Sequence, residues 1–211
     1  MSTLHIPPGR AGRLRLRHSL DVAERGADLL EQKLRILRAE HQRLQRAEEA
    51  AARAWHERVK EAETWLVRGL LLNGEGALDA AAEALDRTDV EARWTSFMGA
   101  LYPADVSCTL PARSPTAAAP ANTALVHAEA AYREVVLAAA EHAAAAAAVR
   151  IIGTEVQSTR QRVRALQRHW IPNLREALAR TELALEQSEH EDAVRRRWAS
   201  SVHREEGPHS R

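Results

Sequence analysis

The ten histidines of this chain never fall three or four residues apart, so no helical pair of imidazoles is spaced to grip a metal ion. The single cysteine, Cys108, adds no thiolate cluster and has no partner for an internal disulfide, which fits a reducing compartment. The sequence holds no G-x-x-x-x-G-K-[ST] to cradle phosphates, no G-x-S-x-G nucleophile turn and no G-x-G-x-x-G dinucleotide turn. Carboxylates are plentiful, but Glu186, Glu189, Glu191 and Asp192 stand at helical spacing from Arg195, Arg196 and Arg197, the pattern of a solvated, ion-paired face. The residue types of acid–base and nucleophilic chemistry are therefore present without the arrangements that use them. No catalytic, cofactor-binding or metal-binding residue is expected, and no cofactor.

The elements that carry these residues are long and thin. The chain has 211 residues, only 4% aromatic, and its apolar fraction is largely alanine, which predicts thin packing in place of a thick globular core. Charged residues make up 28% yet cancel to +1, so the excess charge of a nucleic-acid binder or polybasic anchor is missing. The cations are nearly all arginine, Lys33 and Lys60 being the two lysines, as the codon bias of a GC-rich genome would give. No apolar run approaches the roughly 18 to 20 residues expected of a bilayer span, and the segment around His5, Pro7, Pro8 and Arg10 lacks the apolar centre of a signal peptide.

From Leu14 to Leu72 there is no proline, and apolar or small residues alternate in steps of four and three. Leu16, Leu20, Ala23, Ala27, Leu30, Leu34, Leu37, His41 and Leu44 form a coiled-coil seam, continued by Ala51, Trp55, Val59, Ala62, Leu66 and Leu70 with Glu48 on it. His41 reads as a register-setting polar residue or a tolerated defect. At about 1.5 Å per residue this helix is roughly 85 to 90 Å long and needs a partner of similar length. The partner starts near Thr123 and runs to about His203, with Val149, Ile152, Val156, Thr159, Val163, Leu166 and Trp170, then Leu174, Leu178, Thr181, Leu185 and Ser188. Trp170, Leu174 and Leu178 are two successive steps of four, a slip in the seam beside Pro172. A proline inside a helix costs about 3 kcal/mol, because it has no N–H and its ring crowds the carbonyl four residues back, here that of Arg168. Antiparallel pairing is expected to put Leu16 near residue 200 and Leu66 near residue 150, with residues 123–142 overhanging the first helix.

Between the arms, residues 73–122 hold Gly74, Gly76, Gly99 and the prolines Pro103, Pro111, Pro115 and Pro120. GALDAAAEALD, residues 76–86, predicts a short helix with Leu78, Ala81, Ala82 and Leu85 on one side. ARWTSFMGALYPADVSCTL, residues 92–110, predicts a hairpin around Trp94, Met98, Gly99 and Pro103. RSPTAAAPAN reads as a loop, and the alanine run Ala143 to Ala148 as a narrow stretch for close helix packing. The expected fold is all-α: a long antiparallel two-helix coiled coil of the N- and C-terminal helices, with a small middle region. Its parts are an arm over 1–72, the middle over 73–122, and an arm over 123–211 with a frayed tail.

Three collinear blocks resemble one family. RLRLRHSLDVAERGADLLEQKLRIL, with Leu14, Ala23, Gly26, Leu29, Leu30 and Lys33 and with Arg10 just before it, is similar to an N-terminal block of the family of D subunits. These are the central rotor shafts (central stalks) of V-type (archaeal and bacterial A/V-type) rotary ATPases and ATP synthases. FMGALYP, with Met98, Gly99 and Pro103, resembles its middle segment. TRQRVRALQRHWIPNL, with Thr159, Arg160, Arg162, Val163, Ala165, Leu166, Ile171, Pro172 and Leu174, resembles its most recognisable stretch. Arg164 replaces a common asparagine of the family, Gln167 a glutamate, and Glu31 and Leu34 usually basic residues.

The resemblance implies a non-catalytic subunit, cytoplasmic and at the inner face of the plasma membrane within a peripheral complex. Its implied partners are the hexamer of A and B subunits, the F subunit and the component that links to the membrane rotor, with no nucleic acid and no direct membrane insertion. In that setting Arg160, Arg162, Arg164 and Arg168, within about two and a half turns, form a basic sector for acidic collar residues, and Pro172 a bend in the shaft. The periodicity alone equally fits a free-standing helical-hairpin adaptor or scaffold. An arginine-rich nucleic-acid binder is disfavoured by the near-zero net charge.

Overall fold

The computed structural model describes residues 9–82, 87–113 and 119–205. The protein is mostly helical, its long N-terminal and C-terminal helices packing together, with a short helix and a two-stranded hairpin between them. Helix α1 spans Arg10–Asn73, α2 Glu75–Ala82, α3 Thr123–Ala165 and α4 Ile171–Glu205, and α3 passes into α4 through a π-helical turn, Leu166–Trp170. Strands β1 (Asp89–Phe97) and β2 (Ala100–Thr109) pair antiparallel. The short helix is seen up to Ala82, while Leu85 and half of the loop expected at RSPTAAAPAN lie outside the described residues.

The chain divides into two compact units, one combining residues 1–32 with 159–211 and the other running Lys33–Ser158. In the first, Leu16, Ala23 and Ala27 of α1 pack with Ile171, Leu174 and Ala177 of α4, flanked by Leu20, Leu166 and Leu178. Each such leucine withdrawn from water contributes on the order of 1.5–3 kcal/mol, which is what holds two helices with so few aromatics together. Along one flank Arg10 pairs with Glu189 (2.8 Å), Arg17 with Glu182 (2.6 Å) and Arg175 with Glu24 (2.6 Å), and Gln167 donates to Glu31.

In the second unit, Leu37, Leu44, Ala148 and Ile152 bury themselves with Tyr102 of the hairpin, and Phe97, Ala100, Val149, Ile151 and Val156 pack around them. Gly74, at φ 73°, ends α1 and returns its N–H to the Leu70 carbonyl at 2.8 Å, a left-handed stop that favours glycine. Asn122 caps α3, its Oδ1 accepting from the Leu125 N–H at 2.8 Å, while its Nδ2 donates to the Gly69 carbonyl and to Asn73 Oδ1. One amide thus ties the end of α1 to the start of α3.

That tie corrects the expected register. Arg58 meets Glu134 and Trp65 stacks on His127, so Leu66 lies opposite the beginning of α3 and not near residue 150. At the other end Arg17 meets Glu182, so Leu16 lies well short of residue 200. In the second unit Asn122 starts α3 where α1 stops, so α3 does not begin ahead of α1, and in the first unit α4 continues past Glu189, the partner of Arg10.

The hairpin begins at Asp89, three residues before the sequence predicts. Met98 (φ 52°) and Gly99 (φ 88°) both turn through positive φ, the two-residue geometry whose twist matches the flanking strands. A bulge follows Arg93: Arg93 faces Asp105 but Trp94 faces Pro103, leaving Ala104 unopposed. Proline has no N–H for the ladder, and the bulge removes the need for one.

Candidate functional site

The seam residues occupy the inside of the two units to differing degrees. Leu16, Leu34, Leu37, Leu44, Val163 and Leu174 are buried, whereas Leu20, Leu30, Val156, Leu166, Leu178 and Leu185 are half-buried. Trp170, expected on the seam, is 44% exposed, and Ile171 takes the inward place at 7%. The cause is the π turn. The Ile171 N–H donates to the Leu166 carbonyl, five residues back, so the wider turn carries Trp170 outward. Pro172, exposed, follows directly in the first turn of α4, where its missing N–H breaks no regular ladder.

Arg160, Arg162, Arg164 and Arg168 are all exposed, and none has an ion-pair partner among the described residues. Arg160, Arg164 and Arg168 follow one another at intervals of four, so they share a sector, while Arg162 stands apart from it. Elsewhere the cations are often matched: Arg43 to Glu40, Arg58 to Glu134, Arg93 to Asp105, Arg180 to Glu176. The outer face of α1 is less polar than a solvated shaft would be. Leu14, Val22 and Leu29 stand out at 69%, 50% and 65% exposure.

The contacts that hold the hairpin are ones the sequence does not announce. Tyr102, buried in the core, donates its hydroxyl hydrogen to Glu40 Oε1 at 3.1 Å, and Arg43 grips the same carboxylate through Nε and Nη2 at 2.9 and 2.6 Å. The Arg43 hydrogen bonds hold the Glu40 carboxyl below its ordinary value against the opposing effect of burial, with Tyr102 adding to them. Burial first, and then Glu40, pushes the Tyr102 hydroxyl up, and the Glu40 contact raises the guanidinium of Arg43. Sixty-two residues separate Glu40 from Tyr102, and no local pattern in either segment marks the pair. A second unforeseen group surrounds Glu48. His142 Nε2 lies 3.2 Å from Glu48 Oε1, and the imidazole stacks on Trp55 at 5.3 Å between ring centres and 10° between planes. Trp55 is half-buried there, and its buried Nε1 has no acceptor among the described residues.

Of the hairpin residues expected from the sequence, Met98 and Gly99 form the turn, Pro103 is buried at the bulge, and Trp94 is 55% exposed. Val90, Ala92 and Trp94 of β1 face Ala139, Ala143 and Ala147 of α3 across an open cleft of about 530 Å³. The alanine-rich helix also departs from expectation. An 18-residue window within Thr123–Ser201 has a mean hydropathy of 1.7, long and apolar enough by composition to cross a membrane. Alanine raises that average while offering little side chain, so the run does not stand out as an apolar segment. Its packing against Tyr102 and the hairpin accounts for the composition within the fold.

Among the described residues no group of three His, Cys, Asp or Glu side chains is placed to hold a metal ion. The arrangement is one of surfaces: a buried seam, a winding defect beside an unpaired basic sector, and a hairpin fixed by one polar anchor.

The V-type ATP synthase D subunits of two strains of Thermus thermophilus are each 31% identical over 193 residues, covering 90% of this chain and 85% of the relative. The family model for the D subunit of ATP synthase matches residues 13–201, and the chain belongs to that family.

Proposed function

We propose that this chain is the central rotor shaft of a V-type rotary ATPase or ATP synthase. It turns inside the hexamer of A and B subunits and carries torque to or from the membrane rotor. In this reading the protein is non-catalytic. It assembles with the F subunit and with the component that links to the membrane rotor, at the cytoplasmic face of the plasma membrane, without inserting into the bilayer or binding nucleic acid. The name of the relatives, as D subunits of V-type ATP synthases, motivates the assignment.

The observation that carries it is the contrast between a sealed seam and an unpaired basic sector. Two long helices packed along a seam resist twisting, and leucines buried between them leave the outside free to slide past other surfaces. Arg160, Arg164 and Arg168 leave positive charge uncompensated in a chain of net charge +1. Attraction between such a sector and acidic groups of a collar acts over several ångströms and does not lock one fixed contact. Pro172 and the π turn before it give the shaft a local change of winding, so that three equivalent catalytic interfaces meet different faces.

The test is reconstitution with the A, B and F subunits. The chain is expected to co-purify with them, and Arg160→Gln, Arg164→Gln and Arg168→Gln together to lower ATP-driven turnover about tenfold while assembly persists. A chain that purifies alone would instead be an adaptor, and full turnover in the triple variant would remove the basic sector from the mechanism.

A further inference from the structure

We infer that the π turn at Leu166–Trp170 is a one-residue register spacer, required by the spacing of the seam on either side of it and not by Pro172. The inward residues of the C-terminal strand of the first unit are Thr159, Val163, Leu166, Ile171, Leu174 and the adjacent pair Ala177 and Leu178. The steps from Thr159 to Leu174 are four, three, five and three, and from Leu174 to the pair three or four. A heptad seam alternates threes and fours, so the single irregular step, Leu166 to Ile171, has one residue too many, and it coincides with the π turn. Fifteen residues separate Thr159, fully buried, from Leu174, 1% exposed, where two heptads would take fourteen.

The flank reports the same surplus independently. On α1 the rungs stand at Arg10, Arg17, Glu24 and Glu31, seven residues from each to the next. On the opposite strand Glu189, Glu182 and Arg175 are also seven apart, but Gln167 lies eight before Arg175. One residue enters the second strand without a counterpart on the first. A π turn absorbs such a residue because its hydrogen bond reaches five back and it holds more residues per turn than an α turn. With an α turn there, either Leu166 or Ile171 would rotate off the seam.

Pro172 has a subordinate part. Without an N–H it cannot supply the bond to the Arg168 carbonyl that would close an α turn, so it fixes where along the strand the surplus residue resides. Removing the proline leaves the surplus in place. Removing one residue removes the need for the turn.

The experiment compares three variants of the full-length chain by crystallography and thermal unfolding. Pro172→Ala is expected to keep the π turn and all four rungs. Deletion of His169, which is exposed, combined with Pro172→Ala makes the step from Leu166 to Ile171 a four. It is expected to give an unbroken α-helix with the rungs intact and a Tm within roughly 2 °C of Pro172→Ala. Deletion of exposed Ala179 with Pro172→Ala shortens the strand where the spacing is already regular, and is expected to displace the Arg17 and Arg10 rungs and lower Tm by roughly 5–10 °C. An α-helical 166–170 in Pro172→Ala, or a His169 deletion that loses as much as the Ala179 deletion, would overturn the proposal.

Discussion

The two units of this protein fix the alignment of their helices by opposite means. In the first, similar elements recur: leucine and alanine on the seam, and a polar pair every seven residues of α1. The seam is strong in sum but marks no single heptad, since leucine and alanine meet leucine and alanine again after a slip of seven; the rungs oppose the slip only weakly, by setting Arg17 against Arg175 or Glu24 against Glu182. In the second, the fixing contacts occur once each. His41 sits over Gly153, where an added Cβ would lie 3.0 Å from its Nε2, and Leu125 sits over Gly69, where a Cβ would lie 2.6 Å from its Cδ2. Glu48 meets His142, Glu40 meets Tyr102, and Asn122 bridges two helix ends. No slipped register satisfies these, so singular contacts specify alignment where repeated ones supply stability.

Truncations of the most buried seam residues in each unit should cost the most and leave different structures. Leu37→Ala, in the second unit, and Leu174→Ala, in the first, each remove a side chain at 0–1% exposure and should each cost about 2–5 kcal/mol in chemical unfolding. The comparison is sharpened by what survives. After Leu37→Ala the Tyr102 and His142 contacts still impose one alignment, whereas Leu174→Ala leaves the first unit only repeated contacts. Spin labels on its two helices should therefore report a broader distance distribution in Leu174→Ala, and equal distributions would erase the distinction.

Glycine substitutions come next. Gly69→Val drives a branched side chain into Leu125, itself 3% exposed, with the Leu125 backbone nitrogen 3.4 Å from the new Cβ, and should cost about 2 kcal/mol. Gly153→Ala meets only the movable end of His41, and the strain there is offset by the roughly 1 kcal/mol that alanine gains over glycine in a helix. Its stability should stay near that of the parent protein by the same denaturant titration. A large loss at Gly153 would mean that His41 is held as rigidly as Leu125.

Much of the second unit's specificity is invisible in the sequence for a physical reason. Periodicity reveals which face of a helix is apolar, and it locates both arms, the hairpin turn at Met98 and Gly99 and the proline-bearing stretch. It cannot reveal which residue of one helix stands opposite which of the other, because a heptad seam looks the same after a shift of seven. The register expected from length alone is accordingly misplaced, and the residue that sets it, Asn122, resembles any other loop asparagine until its amide is seen on Gly69 and Asn73. Trp170 reads as an inward residue because steps of four are the smallest repair of the pattern. A five-residue step needs a π turn, which carries no sequence signature of its own. Glu40 and Tyr102 escape a sequence reading because each is ordinary in its own segment and the contact between them is purely tertiary.

The hairpin anchor gives a smaller and pH-dependent effect confined to the second unit. Tyr102→Phe deletes one hydrogen bond to a carboxylate still held by Arg43, and should cost about 1 kcal/mol and quicken proteolysis of the hairpin. Glu40 is held below its ordinary value of 4.5, so its contribution is complete above that value and fades as pH falls through the lowered one. Tyr102 is raised above 10.0, so its contribution is complete below 10.0 and is lost as pH rises through the raised value. Hairpin protection in hydrogen exchange should thus weaken at both extremes, and in Tyr102→Phe the alkaline loss should disappear.

The smallest effects belong to the repeated rungs of the first unit. Arg10 and Glu189 are exposed at 78% and 62%, so a double-mutant cycle to alanine should return a coupling near zero; Arg17 and Glu182, at 58% and 34%, should return about 0.5 kcal/mol, vanishing in roughly 1 M salt. Reversal separates stability from alignment. Arg17→Glu sets like charges against each other at Glu182, and a shift by one heptad would bring Arg175 opposite it instead. That shift would run the seam against the eight-residue step that the surplus residue imposes between Gln167 and Arg175. The restoring pair Arg17→Glu with Glu182→Arg should recover the parent spacing between labels on α1 and α4. If Arg17→Glu alone leaves that spacing unaltered, the first unit's alignment is set by the fixed position of its surplus residue and not by its rungs.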